Sequence, residues 1–273
     1  MTVGKPSPAG PPRSPRGTRT GYAILSWLVA LHLSWLALAA VDFGYPLWHD
    51  LIGIDHTIAR FGPENRYRSG FESTTRAERV RLFAAINAAI HDAGAGLAEL
   101  RYHDPSGRPL GRLLRTPEIV HLQDVARLVA LGRWLGWLAL GGWLLASGWL
   151  LRRRCLPRPR ALALRLAAVL GTGVVLVLVI GPTRVFYQFH IWLFPPDHPW
   201  FFYYQDSLMT TMMQAPDLFG WIALALLLLS LLLLAGLWML GDWVQRRPGA
   251  QSGRLSMGTG TTRSAGSKPK IRP

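Results

Sequence analysis

Two segments far apart in the chain each carry a histidine among groups that would tune it. In TPEIVHLQDV, His121 and Asp124 stand three residues apart. On a helix they share a face, so the carboxylate is placed to hold the imidazole and fix its tautomer. In QFHIWLFPPDHPW, His190 sits in a run of aromatic residues extending from Phe186 to Tyr204, with Asp197, His198 and Asp206 as the local polar groups. Burial depresses a histidine's pKa and a nearby carboxylate raises it, so such a ring can stay neutral near pH 7 and serve as a general base. Arg184, just past Pro182, is a candidate for contacting a phosphate or a developing oxyanion. Trp200 is a candidate substrate contact or interface anchor, whereas His198, between Asp197 and Pro199, reads as a turn residue. Ser207 follows Asp206, but nothing at a fixed spacing activates it as a nucleophile. The sequence contains no G-x-S-x-G elbow, no H-E-x-x-H pair and no phosphate-cradling loop. The pattern favours acid and base groups without a covalent step.

These groups are positioned by spans, not by a soluble core. Half of the residues are hydrophobic, only 16% are charged, and the apolar residues come in blocks. Four stretches approach or exceed the ~20 apolar residues that cross a ~30 Å hydrocarbon layer: 21–41, 128–151, 161–181 and 217–241. The net charge of +15 points to topology and not to nucleic acid. Residues 1–20 carry four Lys or Arg, the turn 152–160 carries five and the stretch after Trp243 carries seven, all without an acid. By the positive-inside rule these three face the cytoplasm, leaving loops 42–127 and 182–216, and with them both histidine segments, on the outer face. The single cysteine, Cys155, lies in the Arg-rich turn, which excludes disulfides within the chain and a thiol nucleophile near the histidines. The expected fold is all-α: a polytopic four-helix transmembrane bundle, domain 21–245, with a large helical extracytoplasmic loop. Residues 1–20 and 246–273, rich in Pro or in Gly, Ser and basic residues, read as disordered tails. An A-x-A site at Ala37, Leu38 and Ala39 leaves open that the first span is a cleaved signal peptide.

Within the outer loop, Thr75 and Glu78 form a capping-box pattern, and Val80, Phe83, Asn87 and Ile90 recur at helical spacing. They predict an amphipathic helix from Thr75 to about Asp92, either packed on the other loop or lying as a lid in the headgroup layer. Asp104 to Gly107 make a turn. Thr116 offers an N-cap with Pro117 at the first helical position, opening a helix that meets no breaker before Leu151. That run from His121 is ~45 Å at 1.5 Å per residue, so His121 should stand near the outer headgroups. Arg133 either snorkels outward or faces the bundle. Gly132 with Gly136, and Ala167 with Gly171, form small-xxx-small pairs that permit close helix approach. The tryptophans of the second span read as lipid-facing or packing residues, and His32 as a polar residue facing the bundle.

Taken together, Glu118, His121, Asp124 and Val125, then Phe189, His190, Phe194, Asp197 and Trp200, then Asp206, Leu208 and Pro216, resemble the bacterial lipoprotein intramolecular transacylase family, Lit, over about residues 23–240. This chain reads Leu193, Phe194 where the family has a Phe doublet, and Pro195, Pro196, His198 and Pro199 crowd the following turn. The resemblance implies an enzyme of the bacterial cytoplasmic membrane that moves the sn-2 acyl chain of a diacylglyceryl lipoprotein onto the α-amine of its N-terminal cysteine. It implies that His121 and His190 are the essential pair, with lipoproteins and membrane lipids as partners, no nucleic acid and no cofactor. Other classes compatible with the residues are a metal-dependent lipid hydrolase using His121, Asp124, His190 and His198, a haem protein using His32, His121 and His190, and a non-catalytic membrane scaffold.

Overall fold

The computed structural model describes residues 16–153, 155–157 and 159–246. The expected tails lie largely outside the described residues, as does part of the Arg-rich turn. Four helices are long and apolar enough to cross a membrane: α1 (Arg16–Ala39), a helix running Thr116–Arg152, another at Pro159–Ile180 and a last one at Asp217–Arg246. The protein is an all-α polytopic membrane protein. Each of these helices is a run of largely apolar residues without an internal proline; the third span has most of its apolar side chains facing outward, as lipid-facing surfaces do, whereas those of α1 are largely buried or half-buried between its neighbours.

The remaining elements form a head at one end of the bundle. Between the first two spans come α2 (Tyr45–Leu51), α3 (Ile54–Phe61), α4 (Arg76–His91) and a hairpin of β1 (Arg101–His103) and β2 (Pro109–Arg112). The second span is then α5 (Thr116–Arg152) and the third α6 (Pro159–Ile180). Two short helices, α7 (Pro182–Leu193) and α8 (Leu208–Met213), precede the last span, α9 (Asp217–Arg246). The antiparallel hairpin pairs Arg101 with Arg112 and Tyr102 with Gly111, and supplies the only strands among the described residues. Tyr45, Ile58, Phe71, Leu82, Leu97, Tyr102, Leu113 and Met212 make one core from the first outer segment, α8 and the start of α9. Tyr45 and Phe83 stack at 4.1 Å inside it. Burying each such side chain contributes roughly 1.5–3 kcal/mol, which is why the head holds together without disulfides.

Thr75 caps α4 by accepting from the Glu78 N–H, yet the expected box is only half made. The Glu78 carboxylate turns instead to Arg81 and His103. The buried stripe of α4 also differs from the expected one: Arg79, Leu82, Phe83, Ile86 and Asn87 face inward, while Val80 and Ile90 flank it. α4 packs against α2 and α5, so it is part of the core and not a lid. The join between α1 and the head is equally fixed. Asp42, Phe43 and Gly44 take successive left-handed conformations that reverse the chain, an arrangement uncommon for the two non-glycines. Asn87 Nδ2 donates to Ala39 O and Asp42 Oδ1 there, both at 2.8 Å. Arg133 donates to His91 O at 2.8 Å, which places its charge on the negative end of α4 and answers where this span residue points.

α1 packs along both α5 and α9. A Cβ on Gly136 would come within 2.1 Å of His32 Nδ1, so only glycine admits that ring; Gly132 faces open space, and one member of the small pair does the work. Trp143 donates to Ser26 Oγ at 3.0 Å, while Trp134, Trp137 and Trp149 face outward. Ala167 and Gly171 line an apolar groove between α6 and α9.

Candidate active site

The site begins with the anchoring of α5. The N-cap is Arg115, one residue before the expected Thr116. Glu118, fully buried, accepts from the Arg115 N–H at 2.6 Å and from Ser207 Oγ. Ser207 Oγ in turn accepts from the Thr210 N–H at 2.9 Å and so caps α8. This hydroxyl is committed to tying two helix starts together, which removes it as a nucleophile. The Arg115 guanidinium lies over the Tyr67 ring at 4.4 Å and 3.4 Å from Glu118. One turn beyond Glu118, His121 points from a helix that cannot rotate without breaking these contacts.

His190 comes from α7, which starts where Gly181, at φ +99°, breaks α6 and Pro182 opens the next helix. Its Nδ1 donates to Phe186 O at 2.8 Å, one turn back, which leaves Nε2 with a free lone pair. Phe186, Trp200 and Phe194 pack on the ring at centroid distances of 4.1, 4.8 and 5.3 Å. Burial pushes the His190 pKa below the ordinary histidine value, partly opposed by the Phe186 carbonyl. His121 meets Phe194 at 4.8 Å and Phe202 at 6.3 Å. The two imidazoles stand 6.2 Å apart, inclined by 33°, with Phe194 touching both. Neither ring nitrogen of His121 has a hydrogen-bond partner among the described residues.

The structure thus brings His121, His190 and Trp200 together, but the other expected residues fare differently. Asp124 does not hold His121. Its Oδ2 accepts from His198 Nδ1 at 2.5 Å and its Oδ1 from Arg127 Nη1 at 2.7 Å. Arg127 also lies three residues from Asp124, so sequence spacing alone offered a competing partner. Asp206 is engaged by Arg66 at 3.2 Å. Arg184 and Asp197 are exposed, and their side chains form no hydrogen bond or ion pair among the described residues. Six residues from His190 on α7, Arg184 points about 120° away at roughly 100° per residue. His198 does close a turn, its N–H donating to Pro195 O at 3.1 Å, and its ring is also the Asp124 partner, for which the only sequence signal was an imidazole next to a proline. Among the described residues, no three His, Cys, Asp or Glu side chains converge as metal ligands would. His32 packs beside Gly136, about 22 Å along α5 from His121 at 1.5 Å per residue, too far for the two to share one iron.

No protein-family model matches the sequence, and no curated protein matches it either. Solved structures do match in fold. The membrane integral lipoprotein intramolecular transacylase Lit from Bacillus cereus aligns with a TM-score of 0.57 at 18% identity, over 85% of this chain and 99% of that one. A variant of it with one histidine replaced by arginine aligns with a TM-score of 0.57 at 17% identity, covering 84% and 92%. A variant with alanine there gives 0.54 at 18%, with the same coverage. The likeness expected from the motifs around His121 and His190 is therefore met at the level of architecture: this chain has the fold of the lipoprotein intramolecular transacylase Lit.

Proposed function

We propose that this protein is a lipoprotein intramolecular transacylase, moving the sn-2 acyl chain of a diacylglyceryl-modified lipoprotein onto the α-amine of its N-terminal cysteine. The observation that carries the reading is the pairing of two imidazoles from separate segments inside one aromatic pocket. The fold likeness supports it. The head stands at the end of the bundle opposite Arg152, which agrees with an outer-face site and a cytoplasmic Arg-rich turn.

Donor ester and acceptor amine belong to one molecule, so holding them together supplies much of the rate. The amine nitrogen attacks the ester carbonyl, a C–N bond forms and the C–O bond to glycerol breaks. The nitrogen loses a proton and the glycerol oxygen gains one, so the catalyst ends as it began. His190 suits the base: Nδ1–H is held by Phe186 O, Nε2 is free, and burial keeps the ring neutral. It takes the amine proton and delivers it to the leaving oxygen. His121, with no other partner, donates its N–H to the oxyanion. Trp200 and Phe194 exclude water from the rings. The reaction calls for no cofactor.

Expression in a bacterium lacking its own N-acylating enzyme, followed by mass spectrometry of lipoprotein N-terminal peptides, tests the reading. An N-acyl, lyso-glyceryl peptide is expected; acyl chains that all remain on glycerol defeat it. His121→Ala and His190→Ala should each lower transfer by at least about 100-fold with the protein still in the membrane.

A further inference from the structure

The segment between α7 and the 3-10 turn at Tyr204 carries three of the rings that surround the imidazoles, Phe194, Trp200 and Phe202, yet has little of its own to hold it. Pro195, Pro196 and Pro199 donate no backbone hydrogen bond. Its one internal backbone bond past Phe194 runs from the His198 N–H to Pro195 O, at 3.1 Å. Among the described residues, and apart from Asp206 N–H to Tyr203 O in the adjoining 3-10 turn, a single hydrogen bond ties residues 195–203 to another element: His198 Nδ1–H to Asp124 Oδ2. Asp124 is nearly buried, with its side chain 8% exposed, and Arg127 fixes its other oxygen. The carboxylate is therefore a prepared socket on the face of α5 that also carries His121.

We propose that His198 is a positioning residue whose bond to Asp124 latches residues 194–203 against α5 and so sets Trp200 and Phe202 around the two imidazoles. The latch's effect on rate rests on the transacylase reading; its geometry does not. Freed from Asp124, the segment loses its one side-chain hydrogen bond to the bundle, and its rings are left to packing, Phe202 in the head core near the Arg115 guanidinium and Trp200 on His190.

The test combines transfer kinetics with backbone amide hydrogen exchange, on the full chain in detergent micelles. His198→Ala should lower kcat roughly 10- to 100-fold, as misplacement of catalytic groups by about 1 Å does, with KM little changed. His198→Asn keeps an N–H near the Nδ1 position and should recover most of the loss. Asp124→Ala combined with His198→Ala should be no slower than Asp124→Ala alone, because that variant has already lost the His198 contact along with the Arg127 one. The bonded amides of the segment, residue 198 to Pro195 O and Asp206 to Tyr203 O, should exchange faster relative to their intrinsic rates in His198→Ala while those of α5 do not. Unchanged exchange overturns the latch whatever the kinetics do. Faster exchange with full activity overturns the positioning role. If the wild-type chain transfers no acyl group, the transacylase reading falls, and the exchange result alone decides whether the latch exists.

Discussion

The two helices that carry the histidines are built on opposite terms. α5 enters the head through a buried anchor and keeps Glu118, Leu122, Asp124 and Ala126 out of solvent around His121. α7 has no buried residue at all, and Trp192 on it is 80% exposed. One imidazole stands on a helix anchored by buried polar contacts; the other is held by stacked rings and one bond to its own helix. The difference teaches where damage should be felt: substitutions on the α5 side act through stability, and those on the α7 side act on chemistry with the fold intact.

The sharpest way to break this comparison is Glu118→Ala. It leaves the Ser207 hydroxyl and the Arg115 N–H without an acceptor in a buried place, each costing about 1–3 kcal/mol, so a loss of about 3 kcal/mol in unfolding free energy is expected. Glu118→Gln, which retains an acceptor, should lose clearly less. Thermal unfolding in detergent that leaves Glu118→Ala within experimental error of the wild type would remove the anchor from the account of α5. Next is Gly136→Ala, on the membrane side of the same helix. The new methyl meets His32 at 2.1 Å, so α1 and α5 must part, at a cost of roughly 1–3 kcal/mol. Gly132→Ala, facing open space, is the matched control and should change little.

On the α7 side the expected effect on stability is smaller and that on activity larger. Trp200→Ala removes one ring from His190, worth about 1 kcal/mol as an aromatic pair, yet it admits water to the free Nε2. Transfer should fall while the unfolding midpoint shifts by only a few degrees. Equal fractional losses in Trp200→Ala and Glu118→Ala would erase the distinction between the two halves.

Much of this arrangement was legible in the sequence because it follows from length and period. Four apolar runs and bare basic turns announce spans, and Thr75 announces the start of α4. His121, His190 and Trp200 were legible because their residue types are few and their surroundings are local. What escaped depended on competition between equally spaced partners. Asp124 has His121 at i−3 and Arg127 at i+3, and the structure gives it Arg127 together with a histidine distant in sequence. Asp206 was legible as polar and near the site, but Arg66, from the other outer segment, takes it. α2, α3 and α7 were not foreseen either, since each is short and gains its helix from packing or from an adjoining Gly–Pro break and not from a long periodic stripe.

The finest test of the comparison is the titration of His190 itself. Burial disfavours the imidazolium, so the ring should release its proton at a lower pH than the ordinary 6.5, and at pH 6.5 most of the population is the neutral base. Ring signals in a histidine-labelled sample, with His190→Gln identifying the resonance, measure that midpoint directly. Trp200→Ala should move it upward toward 6.5, because water reaches the ring and the penalty for charging it shrinks. Glu118→Ala, so long as it folds, should leave it where it is, since Glu118 acts on α5 and touches no part of α7. A midpoint that ignores Trp200 but follows Glu118 would mean that His190 owes its state to the α5 anchor, and the two halves of the site would no longer be separable.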